Sequence, residues 1–159
     1  MQPKNIGYDK ALQKIRQYCA YQERNHREVK EKLYGFGLYK EDVEELISRM
    51  IEEGYLNEER YAVAFAGGKF RMKGWGKIKI RYALRQEKLS EYCITLALKS
   101  IDEADYSSKL EVLYKEKLKS LKGEKNQFVR KQKIQSYLLQ KGYEADRIMV
   151  LIHQQEKDQ

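Results

Sequence analysis

Residues 29–47 read VKEKLYGFGLYKEDVEELI, residues 80–98 read IRYALRQEKLSEYCITLAL and residues 134–152 read IQSYLLQKGYEADRIMVLI. The apolar positions of the first stretch are Val29, Leu33, Leu38, Val43, Leu46 and Ile47. The same spacing returns 51 residues later as Ile80, Leu84, Leu89, Ile94, Ala97 and Leu98, and 54 residues after that as Ile134, Leu138, Tyr143, Ile148, Leu151 and Ile152. A register shared over three stretches marks one supersecondary unit used three times. A single unit of this size buries too little surface to be stable alone, and adjoining copies relieve that deficit.

Working outward, each copy reads as three helices. In the first, Ala11, Leu12, Ile15, Tyr18 and Cys19 lie on one side of a helix over about 8–22. Asn25 with Glu28 has capping-box spacing, and the helix it starts stops at Gly35-Phe36-Gly37. A third helix runs over about 40–53 to Gly54. In the second copy Asn57 is the first N-cap, Gly67-Gly68 weakens the opening helix, Gly74-Trp75-Gly76 makes a turn, and Ser90 caps the last helix. The third copy starts near Asp105, turns at Gly123 and Asn126, and ends its middle helix at Gly142; the polar tail after His153 is expected to fray. Gly37 and Gly142 align with Lys88, which either adopts a left-handed backbone or avoids that turn. The expected architecture is all-α, three tandem three-helix repeats over 8–54, 55–104 and 105–157 forming an elongated, curved array.

Composition fits a helical chain: the only proline is Pro3. Cys19 and Cys93 both fall in apolar helical stretches and read as buried thiols of a reducing compartment. Met1–Asn5 lacks a signal-peptide core, and no apolar run is long enough to span a bilayer, so a cytoplasmic protein with no membrane association is expected.

Charge is unevenly distributed. The 32 Lys and Arg exceed the 24 Asp and Glu by 8. Between Gly67 and Gln86 there is no acid, whereas Lys69, Arg71, Lys73, Lys77, Lys79, Arg81 and Arg85 all lie there. Lys77, Arg81 and Arg85 recur every four residues and share a helical strip. Clustered unpaired cations suit a polyanion. Together with Trp75 they form the candidate partner and nucleic-acid surface, to which Arg130, Lys131 and Lys133 add a weaker third-repeat cluster interleaved with acids. The last helix of the first copy is acidic, through Glu41, Asp42, Glu44, Glu45, Glu52 and Glu53.

The central helix has a second apolar face. Trp75, Ile78 and Tyr82 lie nearly opposite Ile80 and Leu84, where the first copy has Arg24, Arg27 and Glu31. Large exposed apolar patches are rare, so packing against a neighbouring copy is the expected use. An aromatic platform for a single strand is the alternative.

No Cys/His cluster has metal-ligand spacing, no glycine-rich phosphate loop is present, and no serine sits in a nucleophile elbow. Neither an enzyme nor a cofactor is expected. A base-reading helix-turn-helix is disfavoured, because the last helix of the first copy is acidic and those of the other two are sparse in side chains that read base edges.

The ordered set of Arg24/Glu28/Leu33, Gly54-Tyr55-Leu56-Asn57-Glu58-Glu59-Arg60-Tyr61-Ala62, Trp75-Gly76-Lys77-Ile78-Lys79-Ile80 with Leu84, and Gln140-Lys141-Gly142-Tyr143 with Ile148 resembles the RecX family of recombinase regulators. The resemblance runs from Ala11 to Ile152. It implies a helical array that binds in the groove of the RecA filament and restrains RecA's ATP hydrolysis and strand exchange; the charge distribution, not the resemblance, adds single- or double-stranded DNA met through the basic middle repeat. It supplies no catalytic residue. The expected species is a monomer, and a nonspecific DNA-binding module without a recombinase partner is the alternative reading.

Overall fold

A computed structural model describes residues 2–158, and among the described residues there are nine α-helices and no strand. The helices are α1 (Tyr8–Tyr21), α2 (His26–Gly35), α3 (Lys40–Glu52), α4 (Glu58–Gly68), α5 (Lys77–Gln86), α6 (Glu91–Lys99), α7 (Glu103–Ser120), α8 (Gln127–Lys141) and α9 (Ala145–Lys157). They fall into three successive three-helix repeats, in line with the tandem helical architecture read from the sequence.

The repeated apolar register is the core. Of its eighteen positions only Ile47 and Leu151 are half-buried; the other sixteen are buried, many of them completely. Burying a leucine or isoleucine side chain contributes roughly 1.5–3 kcal/mol, so each set supplies a large part of what holds its repeat together.

The chain divides into two compact units, one up to Ala64 and one from Phe65 onward. In the first unit Ala11, Leu12, Ile15 and Cys19 of α1 meet Val29 and Leu33 of α2, Val43, Leu46 and Met50 of α3, and Leu38 and Leu56 from the loops. The capping box at α2 is complete: Asn25 Oδ1 accepts from the Glu28 N–H at 2.8 Å, and a Glu28 carboxylate oxygen accepts from the Asn25 N–H at 3.1 Å. The start of α4 belongs to this unit. His26 Nδ1 lies 3.1 Å from a Glu58 carboxylate oxygen, and Arg60 pairs with Glu23 while donating to the Gly54 carbonyl at 2.9 Å.

In the second unit, Gly67 and Gly68 close α4 without breaking the helical path. The chain continues into a π-helical turn, Lys69–Lys73, that buries Phe70 and stops at Gly74 in a left-handed conformation. Cys93, Ile94, Ala97 and Leu98 bury the inner face of α6 against Ile80 and Leu84 of α5. Leu110, Leu113 and Tyr114 of α7 are buried in the third repeat, as are Ile134 and Leu138 of α8 and Ile148 and Ile152 of α9.

Two expectations are corrected, and the alternative left open at Lys88 is decided. The segment after His153 does not fray as a coil but continues α9 to Lys157. Lys88 adopts the left-handed backbone of its glycine counterparts, with φ 61° beside 82° at Gly37 and 101° at Gly142. The same turn is therefore made in all three copies, and Lys88 carries its strain. Of the second apolar face only Trp75 is half-buried, whereas Ile78 and Tyr82 are left unpacked, 52% and 66% exposed.

Cys19 and Cys93 are both buried as free thiols, and burial pushes the Cys19 thiol up to about 11. No helix among the described residues is long and apolar enough to cross a membrane.

Candidate nucleic-acid interface

The basic segment starts in the π-helical turn and ends on α5. A π turn adds a residue to the helical circuit and re-aims the side chains around it. Lys69 Nζ stands 5.5 Å from the Phe65 ring centroid and 5.0 Å from that of Trp75. Lys79 Nζ, on the first turn of α5, stands 4.7 Å from the same indole. Phe65 meets Trp75 edge to face at 6.5 Å. Trp75 is thus half-buried and held between two ammonium groups, an arrangement that concentrates positive charge around one aromatic ring. Arg71 is exposed, its guanidinium folded back along Gly67, where a Cβ would lie only 2.7 Å from Nη1. Lys73 is exposed too, and its backbone carbonyl accepts from Lys141 Nζ at 3.0 Å.

Lys77 Nζ lies 4.8 Å from the Tyr106 ring centroid. Among the described residues no carboxylate comes within ion-pair distance of Lys69, Arg71, Lys73, Lys77 or Lys79.

The rest of the predicted set is engaged. Arg85 Nε donates to a Glu91 carboxylate oxygen at 2.7 Å, and Arg81 Nη1 lies 3.8 Å from the other oxygen. The bond from Arg85 holds the Glu91 carboxyl below the usual carboxylate range. Two of the three cations in the strip Lys77, Arg81 and Arg85 are therefore paired with one acid from the start of α6, which periodicity along one helix cannot reveal. In the third repeat Lys131 pairs with Glu156 at 3.4 Å, Lys133 pairs with Glu124 at 3.5 Å, and Arg130 donates through Nη2 to the Glu124 carbonyl. Arg130, Lys131 and Lys133 tie down their own repeat and do not join the cations around Trp75.

The turn at Gly74-Trp75-Gly76 is fixed from outside its own repeat. Gly76 is the N-cap of α5 and has no side chain with which to cap it. The caps come from the third repeat. Tyr106 Oη accepts from the Lys77 N–H at 2.9 Å, and the Gly142 carbonyl accepts from the Ile78 N–H at 2.9 Å. The Gly76 N–H donates to the Lys141 carbonyl at 2.7 Å, and Tyr143 Oη donates to the Gly74 carbonyl at 3.1 Å. Tyr106 in turn donates to Glu144 and stacks on Tyr143 with centroids 5.0 Å apart. Burial pushes both phenols well above the usual tyrosine range, and in Tyr106 the bond to Glu144 adds to the effect. Helix starts ordinarily offer free N–H groups to anions. Here the first two donors of α5, the Lys77 and Ile78 N–H groups, are consumed and are closed to an anion.

Sequence reading missed Tyr106, Gly76, Gly142 and Tyr143 as the supports of this turn. One signal was available: the third copy has Tyr143 where the others have Leu38 and Leu89. A hydroxyl at a core position needs a partner, and that partner is the Gly74 carbonyl of the preceding repeat.

The architecture defines an all-α protein of tandem three-helix repeats. Two family descriptions match it: RecX, second three-helix domain, over residues 57–98, and RecX, third three-helix domain, over residues 104–151. Together they take in more than half of the chain. The chain is 28% identical to a regulatory protein RecX of Bacillus cytotoxicus over 97% of its own length and 59% of that protein's. It is 28% identical to a regulatory protein RecX of Prosthecochloris aestuarii, over 87% of its own length and 89% of that protein's. The chain thus spans about three fifths of the Bacillus relative. The crystal structure of RecX from Lactobacillus salivarius superimposes with a TM-score of 0.80 at 23% identity, covering 92% of this chain and 95% of that one, a likeness of fold. The chain belongs to the RecX family of regulatory proteins.

Proposed function

We propose that this chain binds the RecA–DNA filament as a monomer in the cytoplasm and restrains RecA's ATP hydrolysis and strand exchange in recombinational repair. The working repeats of this reading are 8–54, 55–104 and 105–157. The observation that supports it best is a run of five cations with no carboxylate at ion-pair distance, Lys69, Arg71, Lys73, Lys77 and Lys79, two of which, Lys69 and Lys79, stand over Trp75, in a member of a regulatory family. Such cations can take up the phosphates of DNA held in a filament, and they carry no base-reading geometry, which suits a regulator that acts wherever a filament forms. Arg81 and Arg85, already paired with Glu91, contribute less.

The deciding experiment is RecA ATP turnover on single-stranded DNA, titrated with the purified chain. Turnover falls if the reading is right; unchanged turnover at saturating protein overturns it. Binding to poly(dT), followed by fluorescence anisotropy, isolates the DNA contact. About five neutralised phosphates on a single strand give a slope of log K against log salt near −3.5. Replacing Lys69, Arg71, Lys73, Lys77 and Lys79 by Gln should flatten that slope, whereas replacing Arg81 and Arg85 should change it little. A protein that binds poly(dT) but leaves RecA turnover untouched is the nonspecific DNA-binding module instead.

A further inference from the structure

Ile78 and Tyr82 lie one helical turn apart on the outward face of α5, opposite the buried Ile80 and Leu84, and both are more than half exposed. The other two repeats provide an internal control. The first has Arg27 and Glu31 at the same register, joined by an ion pair of 3.0 Å. The third has Gln132 and Ser136, both exposed. All three repeats bury the same core, so the fold does not require an apolar pair at this place. Leaving an isoleucine and a tyrosine in water has no stabilising purpose within the repeat, and two adjoining apolar side chains on one helix face offer a partner surface to bury.

We infer that Ile78 and Tyr82 are the apolar centre of a protein-docking surface whose occupant is an acidic face of the filament's protein, with DNA left to the cations around Trp75. This rests on the proposed function and divides its surface in two. The charge argument is that Arg81 and Arg85, which neighbour this pair on α5, share the single carboxylate of Glu91 and leave a net positive charge beside it, so the complementary protein face is acidic. The choice of protein over nucleic acid follows from the side chains. Ile78 has no π face for a base and no donor for a phosphate, whereas an aliphatic group beside a tyrosine fits an apolar recess between acidic residues. The start of α5 is also a poorer anchor for phosphate than an ordinary helix start, because its first two N–H groups are taken by Tyr106 and Gly142.

The test is the double variant Ile78→Arg with Tyr82→Glu in the full chain. It installs the ion pair that the first repeat already carries at this register, and it leaves net charge unchanged. Circular dichroism and the fluorescence of Trp75, the single tryptophan, verify that the fold is kept. The expected result is a loss of at least tenfold in the potency with which the chain slows RecA turnover, while poly(dT) affinity stays within twofold. A parallel loss in both assays means that bases stack on Tyr82 and overturns the inference. No loss in either overturns it too. Sedimentation in which the wild type dimerises and the variant does not would assign the face to a second copy, again against it. Wild-type protein that leaves turnover unchanged fails the proposed function itself, before the variant is compared.

Discussion

Gly76 and Gly142 approach so closely that a Cβ built on Gly76 would overlap the Gly142 carbonyl, and one built on Gly142 would overlap Lys79. The two glycines come from the second and third repeats, 66 positions apart in the chain. Their contact lets the Gly142 carbonyl cap α5, and it sets where Trp75, Lys77 and Lys79 stand.

Gly76→Ala should therefore destabilise the second unit by about 2–4 kcal/mol, as a backbone overlap that no side-chain movement relieves. Gly142→Ala adds strain from its φ of 101°. Gly123→Ala, where a Cβ meets nothing within 4 Å, is the control and should stay within about 0.5 kcal/mol. Thermal unfolding of the three variants makes the comparison; equal melting temperatures would refute the contact.

Lys88 occupies, at φ 61°, a turn that glycine fills in the first and third repeats. Because a left-handed backbone costs an L-residue about 1–2 kcal/mol, Lys88→Gly should raise stability by about 1 kcal/mol despite glycine's greater freedom when unfolded. Urea titration, with an unchanged m-value, is the measure.

Leu84 and Tyr82 lie on opposite sides of α5, the first fully buried and the second exposed. Leu84→Ala should cost about 2–5 kcal/mol as a core deletion, and Tyr82→Ala less than about 0.5. Similar losses from both would mean that α5 is turned differently on its long axis.

Stability should also fall in alkali. The Tyr106 and Tyr143 phenols titrate above the ordinary tyrosine value in the folded state, chiefly through burial, so the fold favours their protonated forms. With an unfolded value near 10, that contribution is whole below about pH 10 and is lost as pH rises past it. The Cys19 thiol acts in the same sense in the first unit, from its ordinary value near 9 up to about 11. Melting temperature against pH should therefore drop steeply above about pH 10, and less steeply in Tyr143→Phe. Identical curves would show that the phenol does not titrate with unfolding.

The repeats, their helices and their core were legible from the residues alone. Leu33, Leu84 and Leu138 recur in register because each repeat must bury the same face, and caps such as Asn25 and Ser90 act within three residues of themselves. Such determinants are local, so spacing encodes them. The candidate surface was legible as a cluster of charge but not as a set of free charges. Whether Arg85 is open or paired depends on Glu91 across a turn, and Arg130 and Lys133 are held by Glu124 in the same way.

The capping of α5 was beyond the reach of spacing altogether. Its donors are met by Tyr106 and Gly142, which the chain brings back only after another whole helix or more. Sequence by itself determined a triplicated helical chain with a basic middle, since periodicity and charge are properties of neighbours along the chain. The tertiary structure alone decided which cations are unpaired and what holds the turn that presents them, since hydrogen bonds and ion pairs form between groups that only folding makes neighbours.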